Sequence, residues 1–395
     1  MDLNIQNIPA IETILASTQG LITVEKSSST VRLIHYTLQE YLSHNSNLFI
    51  KPHSMIAEVC LAYLNFRQVR EISPAVYSVP PTVPFVEYAS CHWGTHAKRE
   101  TTEGVKVLAL TPPDGYDKHI SSKMLLSSNP AMFGWGRLFD REDCPTGFTG
   151  LHGAAYLGCV EITIALLEMN KWDVGAVDLR GNTALAWAAR RGQEGVVRIL
   201  VERKDVNPNT PEEDGRTPLS WAAENGHDGI VRILLERNDI NPTTADKYGL
   251  TPLSWAAQKG REVVVRIILE RNDINPNTPD NHSRTPLSLA AGGGREGVVR
   301  ILLGRSDVNP NTADTLIGQT PLSWAAKDGN KEVVRILLGR DEVDPNTVDK
   351  YGRTPLSWAA RYGREGAVKL LLERNDVNPE VPDDEFGQTP LSRAV

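Results

Sequence analysis

A threonine recurs along the second half of the chain at Thr149, Thr183, Thr217, Thr251, Thr285, Thr320, Thr354 and Thr389, so successive copies are spaced 34, 34, 34, 34, 35, 34 and 35 residues apart. A fixed period of this length restricts the fold more than any local motif. Each copy is too small to bury its own apolar face, and it must bury that face against its neighbours in a stack. The copies are best preserved in stretches such as RTPLSWAAENG and LTPLSWAAQKG. Repeats are numbered 1 to 8 below by their threonine.

Within one copy the residues spell two helices. Thr217 is placed to cap the first helix, and Pro218 follows at the first helical position, where a missing N–H costs nothing. Leu219, Trp221, Ala222 and Ala223 provide a buried face, and Gly226 ends the helix by taking a left-handed conformation. A second helix opens with an acid in its first turn (Glu161, Glu194, Asp228, Glu262, Glu296, Glu332 or Glu365), which suits the helix dipole. Its apolar residues, such as Ile230, Val231, Ile233, Leu234 and Leu235, need cover on two sides. An Asn-Pro or Asp-Pro step then stops the helix, and a polar turn leads to the next threonine.

These features resemble the ankyrin repeat, with its T-P-L-H-x-A signature. The likeness spans residues 141–395, with seven complete copies and a cut-off eighth, and the expected fold is a mainly α ankyrin-repeat solenoid. One departure is systematic: the family histidine is serine at Ser220, Ser254, Ser288, Ser323, Ser357 and Ser392, and only His152 keeps it. The resemblance implies a thinner hydrogen-bond network between the turns. Trp187, Trp221, Trp255, Trp324 and Trp358 share one position, with Leu289 there in repeat 5. They are expected to be core residues between stacked inner helices rather than a ligand stripe. Leu289 and the following Gly292-Gly293-Gly294 mark the place where the array is expected to fray or bend.

The resemblance also implies where partners bind, because positions free of scaffold duty differ between copies. Two positions after the Ala-Ala pair line the expected groove: Arg190 and Arg191, Glu224 and Asn225, Gln258 and Lys259, Gly292 and Gly293, Lys327 and Asp328, Arg361 and Tyr362. A third, just before the threonine, brings Arg216, Arg284 and Arg353. The turn tips add Lys247, Tyr248, His282, Ile317, Lys350, Tyr351 and Phe386, and the extra residues of the two 35-residue steps fall at tips near 315–317 and 383–385. A basic and aromatic strip of this kind suits an acidic peptide or helix on a protein partner.

The first 140 residues do not repeat. LITVEK and VRLIH read as two short strands around a polar SSST turn, TLQEYLSH as a helix, and HSMIAEVCLAYLNF as a helix with one apolar face. VRLIHYTLQEYL, CLAYLNF and PFVEYASCHWGTHA resemble the segment that follows the nucleotide-binding domain in fungal NACHT-type signalling ATPases bearing ankyrin repeats. By that likeness residues 1–50 are a winged-helix-like remnant and residues 51–140 a helical linker. The sequence carries no G-x-x-x-x-G-K-[ST] phosphate loop. That, with a last copy ending in TPLSRAV, is the pattern expected of the sensor side of such an ATPase without its motor.

The remaining classes are excluded more simply. A formal charge of −7 argues against binding nucleic acid by phosphate neutralisation. No run of 18 apolar residues offers a membrane span, and the start lacks the layout of a signal peptide. Cys60, Cys91, Cys144 and Cys159 form no CxxC pair, which points to free thiols and a cytoplasmic or nuclear location. His35 and His44 do not make H-E-x-x-H, and Cys91-His92 is adjacent in sequence only. No enzyme activity, cofactor, metal or small-molecule substrate is expected. The expected function is a scaffold that binds a protein partner.

Overall fold

The computed structural model describes residues 147–393 except 170, 171, 385 and 386, together with strands β1 (Ile22–Glu25) and β2 (Thr30–Leu33). The strands pair antiparallel with Ile22 opposite Leu33, at the two places where strands are expected. The helices anticipated in residues 34–140 lie outside the described residues. The chain divides into two compact units between Asn207 and Pro208.

In the first unit the helix pairs are α1 (Gly150–Leu157) with α2 (Val160–Glu168), and α3 (Ala184–Arg191) with α4 (Glu194–Glu202). In the second they are α5 (Pro218–Asn225) with α6 (Asp228–Leu235), α7 (Pro252–Lys259) with α8 (Glu262–Leu269), and α9 (Pro286–Gly292) with α10 (Glu296–Leu303). There follow α11 (Pro321–Asp328) with α12 (Lys331–Leu338), α13 (Pro355–Arg361) with α14 (Glu365–Leu372), and a short α15 (Pro390–Arg393). Within each unit the odd helices form one layer and the even helices the other, each helix packing on its counterpart in the adjacent repeat of that unit.

The local causes are those written in the sequence. Thr217 is extended and accepts the Ser220 N–H, Pro218 opens α5, and Gly226 at φ 79° closes it. Gly226 and His227 then both donate to Ala222 O, which satisfies a carbonyl the helix end leaves open. Leu219, Ala222 and Ala223 are completely buried, and the small alanines let inner helices approach closely. Val264, Val265, Ile267 and Ile268 do the same work in α8 from two sides, as their number requires.

Lateral ties at several levels join each repeat to the next within the second unit. Behind the left-handed glycine, Arg261, Arg295 and Arg364 donate Nε to the carbonyls of Glu224, Gln258 and Lys327. After the outer helix, Arg271, Arg305 and Arg374 reach the carbonyls of Leu235, Leu269 and Leu338. The turn tips form a backbone ladder in which Lys247, Asn281, Thr315 and Asp384 donate to Asp214, Tyr248, His282 and Tyr351. Gly249 (φ 80°) sits in that ladder, and a Cβ there would lie 2.6 Å from Asn281 N, so glycine is required both by conformation and by contact.

A further tie runs through the second asparagine of the Asn-Pro-Asn step. Asn277 donates Nδ2 to Asp307 O and accepts from Asn309 N, and Asn209 and Asn311 do the same toward their next repeats. Thr243 stands at this position in the Asn241-Pro242-Thr243 step and is too short to bridge. Thr243→Asn is therefore expected to add the missing bridge and raise stability by about 0.5–1.5 kcal/mol. Urea denaturation of the full chain measures it; an unchanged midpoint would show that this tie contributes nothing.

The glycine-rich end of α9, expected to fray or bend, is instead tied down. The helix runs to Gly292, Gly294 takes the left-handed turn at φ 66°, and Asn330 Nδ2 donates to both Ala291 O and Gly292 O. What the glycines do remove is cover. Trp324 is half-buried where the tryptophans of the other copies are buried. A Cβ on Gly292 would meet Trp324 Cβ and Cε3 at 3.7 Å, an ordinary contact. Gly292→Ala should thus stabilise by about 1 kcal/mol through helix propensity and this contact, read as a higher melting temperature.

Candidate protein-binding groove

In the second unit the wall beneath the groove is lined by tryptophans anchored by acids, and Trp187 of the first unit is held in the same way. In repeat 4, Asp246 Oδ1 accepts the N–H groups of Tyr248 and Leu250 while Oδ2 accepts Trp255 Nε1 at 3.0 Å. Asp349 treats Tyr351, Arg353 and Trp358 likewise, Asp178 holds Trp187, and Asp314 holds Trp324. One buried carboxylate thereby folds the tip and fixes the indole of the following helix. Repeat 5 has Leu289 and so no indole N–H; there Arg284 Nε takes Asp280 Oδ2 at 2.8 Å. Glu212 keeps the two backbone bonds in repeat 3, and burial pushes its carboxyl above the usual range.

Cations lie over the indoles. The Arg216 guanidinium sits between two of them, 4.6 Å from the Trp221 ring and 3.8 Å from Trp255, and pairs with Glu224 at 2.9 Å. Lys259 also reaches Glu224, at 3.4 Å. Lys327 lies over Trp324 and Trp358 at 4.7 and 5.1 Å. Arg353 and Arg361 also approach Trp358, and Tyr362 stacks on it at 5.9 Å. In the first unit Arg190 lies over Trp187 and Arg191 over Tyr156. Among the described residues no group of three metal-ligating side chains occurs, and no helix is long and apolar enough to cross a membrane.

A family model for ankyrin repeats matches residues 151–246, 238–314, 305–383 and 341–395. The chain belongs to the ankyrin-repeat family. No curated relative matches it. Proteins built of ankyrin repeats generally mediate protein–protein interaction and are typically non-enzymatic modules. The match begins at residue 151, within the span expected from the period.

The histidine-to-serine exchange in this ankyrin array has the consequence anticipated for it. His152 Nδ1 accepts from Thr149 N at 3.1 Å, and Nε2 bonds the carbonyl of Asn182 in the next repeat at 3.0 Å. Each serine reaches only its own capping threonine, as Ser254 does Thr251 at 3.0 Å. The arginine, asparagine and tip ties described above connect the serine repeats instead.

His152 also carries a pH dependence. It is buried, and because Nδ1 must stay an acceptor, the ring is held neutral; burial lowers its pKa below 6.5, against a smaller opposing pull from Asp178. A lowered folded-state pKa means that this contribution is fully present above pH 6.5. It is lost as the pH falls through that value toward the folded one. Protection factors of α1, corrected for the intrinsic pH dependence of exchange, should fall between pH 7 and pH 5, and His152→Ser should flatten that dependence. An equal fall in protection in both proteins would assign it to other groups.

The predicted partner-binding residues separate into two sets. Lys247, Tyr248, Lys259, Asp328, Lys350, Tyr351, Arg361 and Tyr362 are exposed, and Arg190, Arg191, Glu224, Asn225, Gln258 and Lys327 are half-buried. Arg216, Arg284 and Arg353 belong to the wall rather than the surface. Arg216 is clamped between tryptophans, Arg284 is forked on buried Asp280, and Arg353 is only 5% exposed. Their position reads as variable and polar in sequence, but Arg216 is covered by Trp255 of the next repeat, and Arg284 and Arg353 are held by Asp280 and Trp358 of their own repeats. Of the tip residues, Phe386 lies outside the described residues. The indole-holding acids Asp178, Asp246, Asp314 and Asp349 were not singled out from sequence. Their signal was present: an acid recurs five or six residues before the threonine in repeats 2 through 8.

Proposed function

We propose that this protein is a scaffold that binds a partner protein along the inner-helix groove and turn tips of the second unit. The reading is carried by one contrast. Scaffold positions repeat almost unchanged and are satisfied internally, whereas the pair after each Ala-Ala, half-buried or exposed, differs in every repeat: Glu224-Asn225, Gln258-Lys259, Gly292-Gly293, Lys327-Asp328, Arg361-Tyr362. Stacking has no need for that diversity, and recognition does. Exposed aromatics among these residues and at the tips, Tyr248, Tyr351 and Tyr362, are of the type that anchors interfaces. Arg216, Arg284 and Arg353 act here by fixing the wall. A cytoplasmic or nuclear site of action is part of the proposal and rests on the cysteine pattern; the alternative reading, the sensor side of a NACHT-type signalling ATPase, rests on the sequence resemblance of residues 1–140 alone.

Affinity capture with the full chain tests it. A groove variant carrying Lys259→Glu, Lys327→Glu, Arg361→Glu and Tyr362→Glu is compared with an outer-helix variant carrying Arg266→Glu and Arg300→Glu, both checked for native helicity. A partner kept by the parent and the outer-helix variant but lost by the groove variant supports the reading. Loss in the outer-helix variant, or in neither, refutes it.

A further inference from the structure

The groove is not electrostatically uniform along the second unit. In repeats 3 and 4 its cations are neutralised within the protein: Arg216 pairs with Glu224 and approaches Asp246 at 3.7 Å, and Lys259 pairs with the same Glu224. In repeats 6 and 7 three cations gather round a single indole, Lys327 at 5.1 Å, Arg353 at 5.1 Å and Arg361 at 5.8 Å from the Trp358 centroid. The one acid on that indole, Asp349, is buried and bound to its Nε1. Among the described residues neither Lys327 nor Arg361 has an acid within ion-pair distance. The adjacent Asp328 leans the other way: its Oδ2 would lie 3.6 Å from a Cβ on Gly292 of repeat 5, while Lys327 reaches forward over Trp358 of repeat 7. Arg361 is exposed, and Tyr362, 46% exposed, presents the outer face of the ring it stacks on Trp358.

Like charges crowded on one ring repel each other, and Lys327 is relieved only by a through-space pull from Asp328, which it shares with Arg364 and which makes no ion pair with it. We infer that this corner is an acidic-peptide site. An aspartate or glutamate carboxylate of a partner's segment lies between the Lys327 ammonium and the Arg361 guanidinium, with the next residue of that segment resting on Tyr362. The guanidinium fork matches a carboxylate with two parallel hydrogen bonds, and the low-dielectric tryptophan floor strengthens them. Repeats 3 and 4, already neutral, contribute shape rather than charge. This rests on the groove reading and narrows it to one corner and one partner chemistry.

Selection of a displayed random twelve-residue peptide library on the full chain tests it, with enriched peptides rebound to variants by fluorescence anisotropy. The expected result is enrichment of Asp- and Glu-rich peptides. Their affinity should fall about tenfold or more in Lys327→Gln/Arg361→Gln, fall further with added salt, and change little in Lys259→Gln. Arg361→Gln alone, at an exposed helix end, guards against a folding artefact and should show a smaller loss in the same direction. Enriched peptides that are not acidic, yet are lost on mutating Tyr362 or Gln258, would overturn the acidic site and leave the groove reading standing. Peptides insensitive to every groove variant would overturn both. Equal loss in Lys259→Gln, or no enrichment at all, would overturn the corner assignment.

Discussion

Replacing Asp349 by alanine is expected to destabilise the array by about 3–5 kcal/mol, although the residue lies in a turn. Its carboxylate is the acceptor for Tyr351 N, Arg353 N and Trp358 Nε1, at 2.9, 3.0 and 2.9 Å. Removing it leaves three donors unsatisfied, two of them on buried residues, and deletes the one negative charge on the indole that three cations surround. Asp349→Asn keeps an acceptor oxygen for the tip but loses the charge, and should cost about half as much. Unfolding of repeat arrays need not be two-state, so the informative readout is amide exchange resolved by helix, with α13 expected to lose the most protection. A change in α13 below about 1 kcal/mol would mean that the acid does not hold the tip and the indole together.

The second large effect is a rescue. Trp255→Leu installs the residue natural to repeat 5 and is expected to cost about 2–4 kcal/mol, from lost ring volume and from Asp246 Oδ2 left without its donor. Adding Leu250→Arg copies the rest of repeat 5, where Arg284 fills the corresponding oxygen of Asp280 beside Leu289. The pair should recover about 1 kcal/mol or more relative to Trp255→Leu alone. Leu250→Arg in the parent, where the oxygen is occupied by the indole and Leu250 packs against Trp255 and Leu289, should destabilise. A double-mutant cycle with no coupling would show that the tryptophan and arginine arrangements are not two solutions to one requirement.

Much of this architecture was legible beforehand, for reasons confined to one copy of the repeat. Threonine caps, proline at the first helical position, left-handed glycines and the apolar spacing of each helix act over a few residues, and the structure places them as read. Burial of Trp187, Trp221, Trp255 and Trp358 followed from the period together with the ankyrin resemblance, since a unit that cannot cover its own face must use its neighbour's, whereas Trp324 is half-buried. The strand pair in residues 22–33 was readable from its alternation and polar turn.

Ownership of the charged residues was not legible. Arg216, Arg284 and Arg353 precede the cap in every copy where they occur and look like free surface positions. Whether Arg216 meets solvent, a carboxylate or an indole depends on side chains one repeat away: it is enclosed by Trp255 and Asp246 of the next repeat. The same holds for Lys259, neutralised by Glu224, and for Lys327, which is not neutralised. Short-range stereochemistry and periodicity, which act along the chain, determined the helices, their caps and the stack. Only the tertiary structure decided which cations are structural and which remain available, because electrostatic pairing and desolvation act across repeats.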